Sequence, residues 1–197
     1  MGVAEGRLTR EELVRLGLAL PIAVVVAGTE TTLAATPACA DDDEPTEEQT
    51  EGPYFTPRSP RRRVLRTPRM RGTPLLLTGR VLTTRCRPIS NALLDFWQAD
   101  SAGVYDNRGY RLRGHQRTDA LGRYRLETVV PGLYPGRTRH IHVKAQAPRQ
   151  PVLTTQLYFR GERGNADDGI FDAALLVRDL RKANGRWSAR FDFVLDV

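Results

Sequence analysis

Short apolar runs, broken at every step by Gly, Pro, Asn or Asp, fill the chain from about Leu75 to its end. "LLLTGRVL" (75–82) alternates well enough to lay one face on a core and predicts a strand, and "CRPIS" behind it predicts a turn. "NALLDFWQA" (91–99) predicts a second strand, and "SAGVYDNRGYRLRGHQ" (101–116) a loop. In "TDALGRYRLET" (118–128) a turn at Asp119–Gly122 leads into a third strand. His140–Ala147 and Val152–Phe159 predict two more, joined through "PRQP". A polar, Gly-rich loop, "RGERGNADDG", then precedes a short helical turn over 172–177, and "RWSARFDFVLDV" alternates as one closing strand. There is no internal repeat. Strands of this length and spacing predict an all-β fold, a mainly antiparallel β-sandwich with long loops.

The pattern upstream of Leu75 is different. "LGLALPIAVVVA" (16–27) is too short to span a bilayer and has the length of a signal-peptide core, with Arg7, Arg10 and Arg15 before it and small residues after it. Ala38-Cys39-Ala40 fits a cleavage site, and "LTREELVRLGL" resembles a twin-arginine signal in which Glu11 replaces the second arginine. A buried helix broken by Pro21 is the competing reading. The expected organisation is a leader over 1–38, a charged extension over 39–74 and the sandwich over 75–197, in an exported or envelope-associated protein. Cys39 and Cys86 are the two cysteines. In an exported chain they can pair, which requires any cleavage to fall before Cys39 and so competes with the Ala-x-Ala site.

Charge adds little to this picture. The net charge of +7 is carried largely by arginine, seven of them in "RSPRRRVLRTPRMR" (58–71), directly after the acidic "DDDEPTEEQTE" (41–51). The basic run has no interleaved aromatic residues to stack bases and no recognition-helix pattern after it, so no nucleic-acid partner is expected. The two runs read as solvated segments that attract each other, within one chain or between two copies.

Candidate chemistry gathers in "YPGRTRHIHVKAQ" (134–146). His140 and His142 are one residue apart on a predicted strand and therefore point to the same face, a bidentate grip on a metal or simply two strand residues. Two neutral imidazoles completed by two tyrosinates would suit iron(III), a hard cation that prefers anionic oxygen. A zinc hydrolase lacks a third Asp, Glu or Cys ligand nearby.

Four blocks in order, "EGPYF" (51–55), "DFWQADSAGVYDN" (95–107), "PGLYPGRTRHIH" (131–142) and "TTQLYF" (154–159), resemble the signature segments of the intradiol ring-cleavage dioxygenases, the catechol and protocatechuate dioxygenase family. The likeness runs from about Thr50 to Leu176. It implies a non-haem iron(III) enzyme that cleaves a catechol-type aromatic with dioxygen to a cis,cis-muconate type diacid, its site carried on the long loops. Position by position, it implies metal ligation by Tyr105, Tyr134, His140 and His142, with Tyr134 the phenolate that leaves the metal when substrate arrives. It implies catalytic roles for Arg137, Tyr134 and Gln156, and a substrate pocket bounded by Trp97, Tyr54 and Arg137. The implied partners are a small aromatic diol and dioxygen; no transmembrane span is expected in the mature chain, and a homodimer is compatible with the resemblance. The segment between Tyr134 and His140 is shorter than in protocatechuate enzymes and matches the compact version of exported relatives. No helical dimerisation domain of the catechol-specific type is evident, which leaves the choice of catechol open. A metal-free, transthyretin-like β-sandwich binding module is the alternative.

Overall fold

The computed structural model describes residues 44–197, and nine strands make up its framework. β1 (Pro74–Thr83), β4 (Arg123–Val129), β7 (Arg178–Ala183) and β8 (Arg186–Arg190) form one sheet in the order β4-β1-β8-β7, and β9 (Phe193–Leu195) also pairs with β1. β2 (Leu93–Trp97), β3 (Arg113–Arg117), β5 (His140–Gln146) and β6 (Val152–Tyr158) form the other, in the order β3-β2-β5-β6. The four-stranded sheet is antiparallel throughout, whereas β1 runs parallel to β8 and β9. The architecture is thus the expected all-β sandwich.

Alternation explains the inner faces. β1 buries Leu75, Leu77 and Val81; Leu94 and Phe96 of β2 and Ile141, Val143 and Ala145 of β5 meet them across the core. On the other face of β2 and β5, which an open sandwich would give to water, Leu93, Asp95, Lys144 and Gln146 are half-buried, but Trp97, His140 and His142 are buried. The cause lies upstream. The chain runs along the β6 edge, with Gln49 N–H donating to the Thr154 carbonyl (2.8 Å) and Thr155 Oγ1 to the Glu47 carbonyl (2.7 Å). It then crosses the outer face of the four-stranded sheet to the β3 edge, where Arg62 N–H donates to the His115 carbonyl (2.9 Å). Leu65, 2 % exposed, ends this strap in the sandwich core. The described part of the charged extension is therefore held against the sandwich from end to end.

Three elements differ from expectation. β3 was expected as loop because "RGHQR" has no apolar alternation; its pairing is sustained by Leu112 and Leu65 packing at its end and face, and by the buried Arg113. β7 is an exposed edge strand, pinned to β8 through a register shift and by Lys182 Nζ lying 4.0 Å from the Trp187 ring centroid. The closing strand is two strands, because Phe191 N–H bonds Thr78 and Asp192 Oδ1 accepts from Arg80 N–H, breaking the run beside β1. The expected helical turn is a single 3-10 turn at Ala173–Leu175, capped by the Asp172 side chain accepting from Ala174 N–H. Among the described residues no helix is long and apolar enough to cross a membrane. Cys86 is disulfide-bonded; Cys39, the expected leader and the cleavage site lie outside the described residues.

Candidate active site

Cross-strand register builds the floor of the site. Trp97, His142 and Gln156 are neighbours across β2, β5 and β6, and His140 sits opposite Tyr158. His140 and His142 therefore share the outer face with their rings 4.8 Å apart and nearly perpendicular (82°). Thr138 fixes one ring: its carbonyl lies 2.7 Å from His140 Nδ1, which makes Nδ1 the N–H donor and turns the Nε2 lone pair inward. Burial holds the His140 imidazolium down to a pKa of about 4, and burial with the neighbouring His140 holds His142 well below its ordinary range. Both rings are neutral bases, and the buried Nδ1 of His142 has no hydrogen-bond partner.

Two loops bring phenols to these rings. Tyr105 comes from the β2–β3 loop and places its hydroxyl 3.0 Å from His140 Nε2. Tyr134 comes from the β4–β5 loop, with its ring centroid 5.9 Å from that of Tyr105. The loops touch backbone to backbone: Gly132 N–H donates to the Asp100 carbonyl (2.7 Å), and a β-carbon on Gly103, whose φ is +83°, would lie 2.0 Å from the Leu133 carbonyl oxygen. Arg113, 1 % exposed, secures the Tyr105 loop by donating to the Asp106 carbonyl (2.9 Å) and to that of Tyr54 (2.6 Å). The strap delivers Tyr54, whose hydroxyl is 2.8 Å from that of Tyr134 and whose ring stacks on Tyr105 at 4.7 Å.

Arg137 and Gln156 lie beside this cluster and contact each other, Arg137 Nη2 donating to Gln156 Oε1 (2.7 Å). Arg137 Nε donates to both oxygens of Asp168 (3.0 and 2.9 Å), which also accepts from Thr138 N–H (2.9 Å). Burial would raise the Asp168 carboxyl, but the Thr138 and Ile170 amides and Arg137 outweigh it and hold it below the usual range. Asp168 had no sequence signal beyond being one of two aspartates in a polar loop, and Tyr158 read only as a strand residue. The Tyr158 hydroxyl, pushed up to a pKa of about 12 by burial, joins the group 3.3 Å from Arg137 Nη2. Trp97 sits elsewhere than on an open wall: it is 1 % exposed and stacked flat on His142, 4.8 Å between centroids and 6° between planes. His115, the third histidine, is tied to the Ser59 carbonyl (2.7 Å) away from this cluster. A cleft of about 620 Å³ opens outward from Tyr134 and Arg137 between the 133–137 and 161–168 loops.

The donor set tests which metal these residues fit. Two neutral imidazoles and two phenols converge, and among the described residues no three His, Cys, Asp or Glu come together as a site. Burial raises the Tyr105 phenol well above its ordinary pKa, so it ionises only against a strong cation. Phenolate oxygen with neutral imidazole suits a hard trivalent ion, and the set fits ferric iron.

A family model described as Dioxygenase matches residues 50–197. The chain is 29 % identical over 151 residues to the 6-chlorohydroxyquinol 1,2-dioxygenase of Cupriavidus pinatubonensis, covering 64 % of this chain and 55 % of that protein. It is 36 % identical over 118 residues to the protocatechuate 3,4-dioxygenase beta chain of Burkholderia cepacia, covering 51 % and 50 %. The chain thus spans about half the length of these relatives. Among solved structures, the dioxygenase domain of a dioxygenase carbohydrate-binding protein fusion from Streptomyces sp. SirexAA-E superposes with a TM-score of 0.76 at 57 % identity, over 78 % of this chain and 99 % of that one.

Proposed function

Because the chain belongs to the intradiol ring-cleavage dioxygenase family, we propose that it opens the ring of a catechol-type aromatic between its two hydroxyl-bearing carbons, using dioxygen, at a ferric ion held by Tyr105, Tyr134, His140 and His142. The observation that carries this reading is the convergence of two buried neutral imidazoles with Tyr105 and Tyr134. When bound, iron(III) would supply the Lewis acidity that ionises the phenols and lets a catechol chelate as its dianion.

The chain's own groups have separable tasks. Tyr134 faces the cleft, and as phenolate its oxygen can take a hydroxyl proton from an arriving catechol. Tyr54, 2.8 Å from that oxygen, can donate to it while it is charged and remain hydrogen-bonded once it is neutral. Arg137 is held rigidly by Asp168 and Gln156, presenting a fixed positive charge to a ring that takes on ketone-like, electron-rich character. Trp97 and Phe55 keep water from the back of His142, and Trp97 holds that ring's plane. The expected product is a cis,cis-muconate type diacid. Export is likewise proposed, on the pattern of residues 16–40 alone.

The test is metal analysis joined to a visible spectrum of the purified protein. About one iron per chain and a red-brown phenolate-to-iron charge-transfer band are expected, with the band shifting when catechol is added without dioxygen. A protein that stays colourless and inert after loading with ferric iron would overturn the proposal and favour a metal-free binding module.

A further inference from the structure

An open cleft of about 810 Å³ lies between the edge strands β3 and β4, lined by none of Tyr105, Tyr134, His140 and His142, with Arg61–Arg63 of the strap among its lining residues. Eight of its fourteen lining residues are arginines, and none is a lysine. Three of the eight have a carboxylate partner: Arg123 with Asp119 (2.7 Å), Arg125 with Glu127 (3.1 Å) and Arg190 with Asp192 (2.9 Å). The other five, Arg61, Arg62, Arg63, Arg80 and Arg117, form no ion pair with any described residue, although Arg62 donates to the Arg113 and Tyr110 carbonyls and Arg117 to that of Asn91. So many uncompensated guanidinium groups in one concavity create a strongly positive field and offer planar donor forks suited to carboxylates. A second observation points to a ligand. Gln116, a lining residue only 8 % exposed, has its Oε1 taken by Arg125 N–H (3.3 Å), and its Nε2 donor has no partner.

The aromatic residues of this cleft do not suit a nucleic acid. Tyr124 is 4 % exposed with its hydroxyl bound to the Phe191 carbonyl, and His115 is bound to Ser59, so neither offers a free face for a base. The chain itself carries the complementary charge. Residues 41–51 contain seven carboxylates and no cation. Glu44, Glu47 and Glu48 are exposed, and their stretch is pinned along the β6 edge, the opposite edge of the four-stranded sheet from β3.

We propose that the arginine cleft is a docking site for an acidic peptide segment, and that its occupant is the Glu44–Glu51 stretch of a second copy of this chain. Carboxylates of the incoming segment meet the arginines that lack a carboxylate partner, and one of its carbonyl or carboxylate oxygens accepts from Gln116 Nε2. If each copy inserts into the other, the two contacts close a dimer. Because these charges are solvent-exposed, the contact weakens as the Debye length falls from about 10 Å at 0.1 M salt to about 3 Å at 1 M.

The experiment combines sedimentation velocity of the full chain with titration of a labelled synthetic peptide, DDDEPTEEQTE. Self-association that is lost at high salt, and peptide binding weakened about tenfold or more in R61E/R63E/R117E, are expected. The E44K/E47K/E48K variant should also fail to associate with itself, yet associate with the R61E/R63E/R117E variant when the two are mixed. Far-UV circular dichroism establishes that both variants are folded. A monomer at every salt concentration, mixed variants that do not associate, or an acidic polysaccharide or single-stranded DNA of matched charge binding the cleft more tightly than the peptide would each overturn the proposal.

Discussion

Arg137 donates to Asp168, Gln156 and Tyr158 and, always protonated, does not ligate a metal, so its substitution separates holding a metal from using it. Arg137→Leu is expected to keep iron and the visible band while turnover falls by about a hundredfold or more, the usual consequence of losing one preorganised electrostatic contact. Asp168→Asn should lower turnover less than Arg137→Leu, because it loosens the guanidinium without removing it. A visible-band titration with catechol, run beside dioxygen uptake, reads both effects; if Asp168→Asn leaves turnover unchanged, Asp168 does not position Arg137 for the reaction. The histidines carry a pH signature of their own in metal-free protein. Their folded-state pKa values lie below the ordinary 6.5, so the unfolded chain binds more protons in the interval between. Stability is full above about pH 6.5 and is lost as pH falls toward about 4, the folded value of His140. Melting temperatures of chelator-treated protein should fall across that window, and His140→Gln should flatten part of the fall.

Loops set the distance between the phenols, and Gly103 is where they meet. A methyl group there collides with the Leu133 backbone, so Gly103→Ala should push the Tyr105 and Tyr134 loops apart. The expected result is a destabilisation of roughly 1–3 kcal/mol, typical of backbone strain, accompanied by loss of iron retention; thermal unfolding and metal analysis check it. Iron retained at full occupancy would show that the loops reach the metal independently. At this scale the sequence was informative wherever a strand had one wet face or a loop carried a dense motif. β1 could be read from its alternation, and "YPGRTRHIH" from its spacing and its likeness to a family. β3 could not be read, because its pairing depends on Leu65, far upstream in the sequence, and on Arg113 being satisfied by carbonyls of other loops. Asp168 was invisible for the same reason: its meaning comes from Arg137, thirty-one residues earlier.

Across the whole molecule, the strap turns an ordinary sandwich into a candidate enzyme. Without it the outer face of β2 and β5 would lie in water; with it, Trp97, His140 and His142 are buried and Tyr54 reaches Tyr134. Within the charged extension only "EGPYF" pointed to the site, through its likeness to a family; the strap around it was hidden, because its polar composition matches that of a solvated segment and its anchors are mostly backbone hydrogen bonds. Leu65→Ala, which removes the strap's core anchor, should cost about 2–5 kcal/mol and loosen the site with it, measurable as lower denaturant midpoint and faster iron loss to a chelator. The central claim concerns the reaction. Its most direct test is mass spectrometry of the product formed from catechol under isotope-labelled dioxygen. The expected product is a muconate-type diacid in which the bond between the two hydroxyl-bearing carbons has been cut and both labelled oxygen atoms are retained. A semialdehyde cut beside the diol, or unlabelled product, would contradict it.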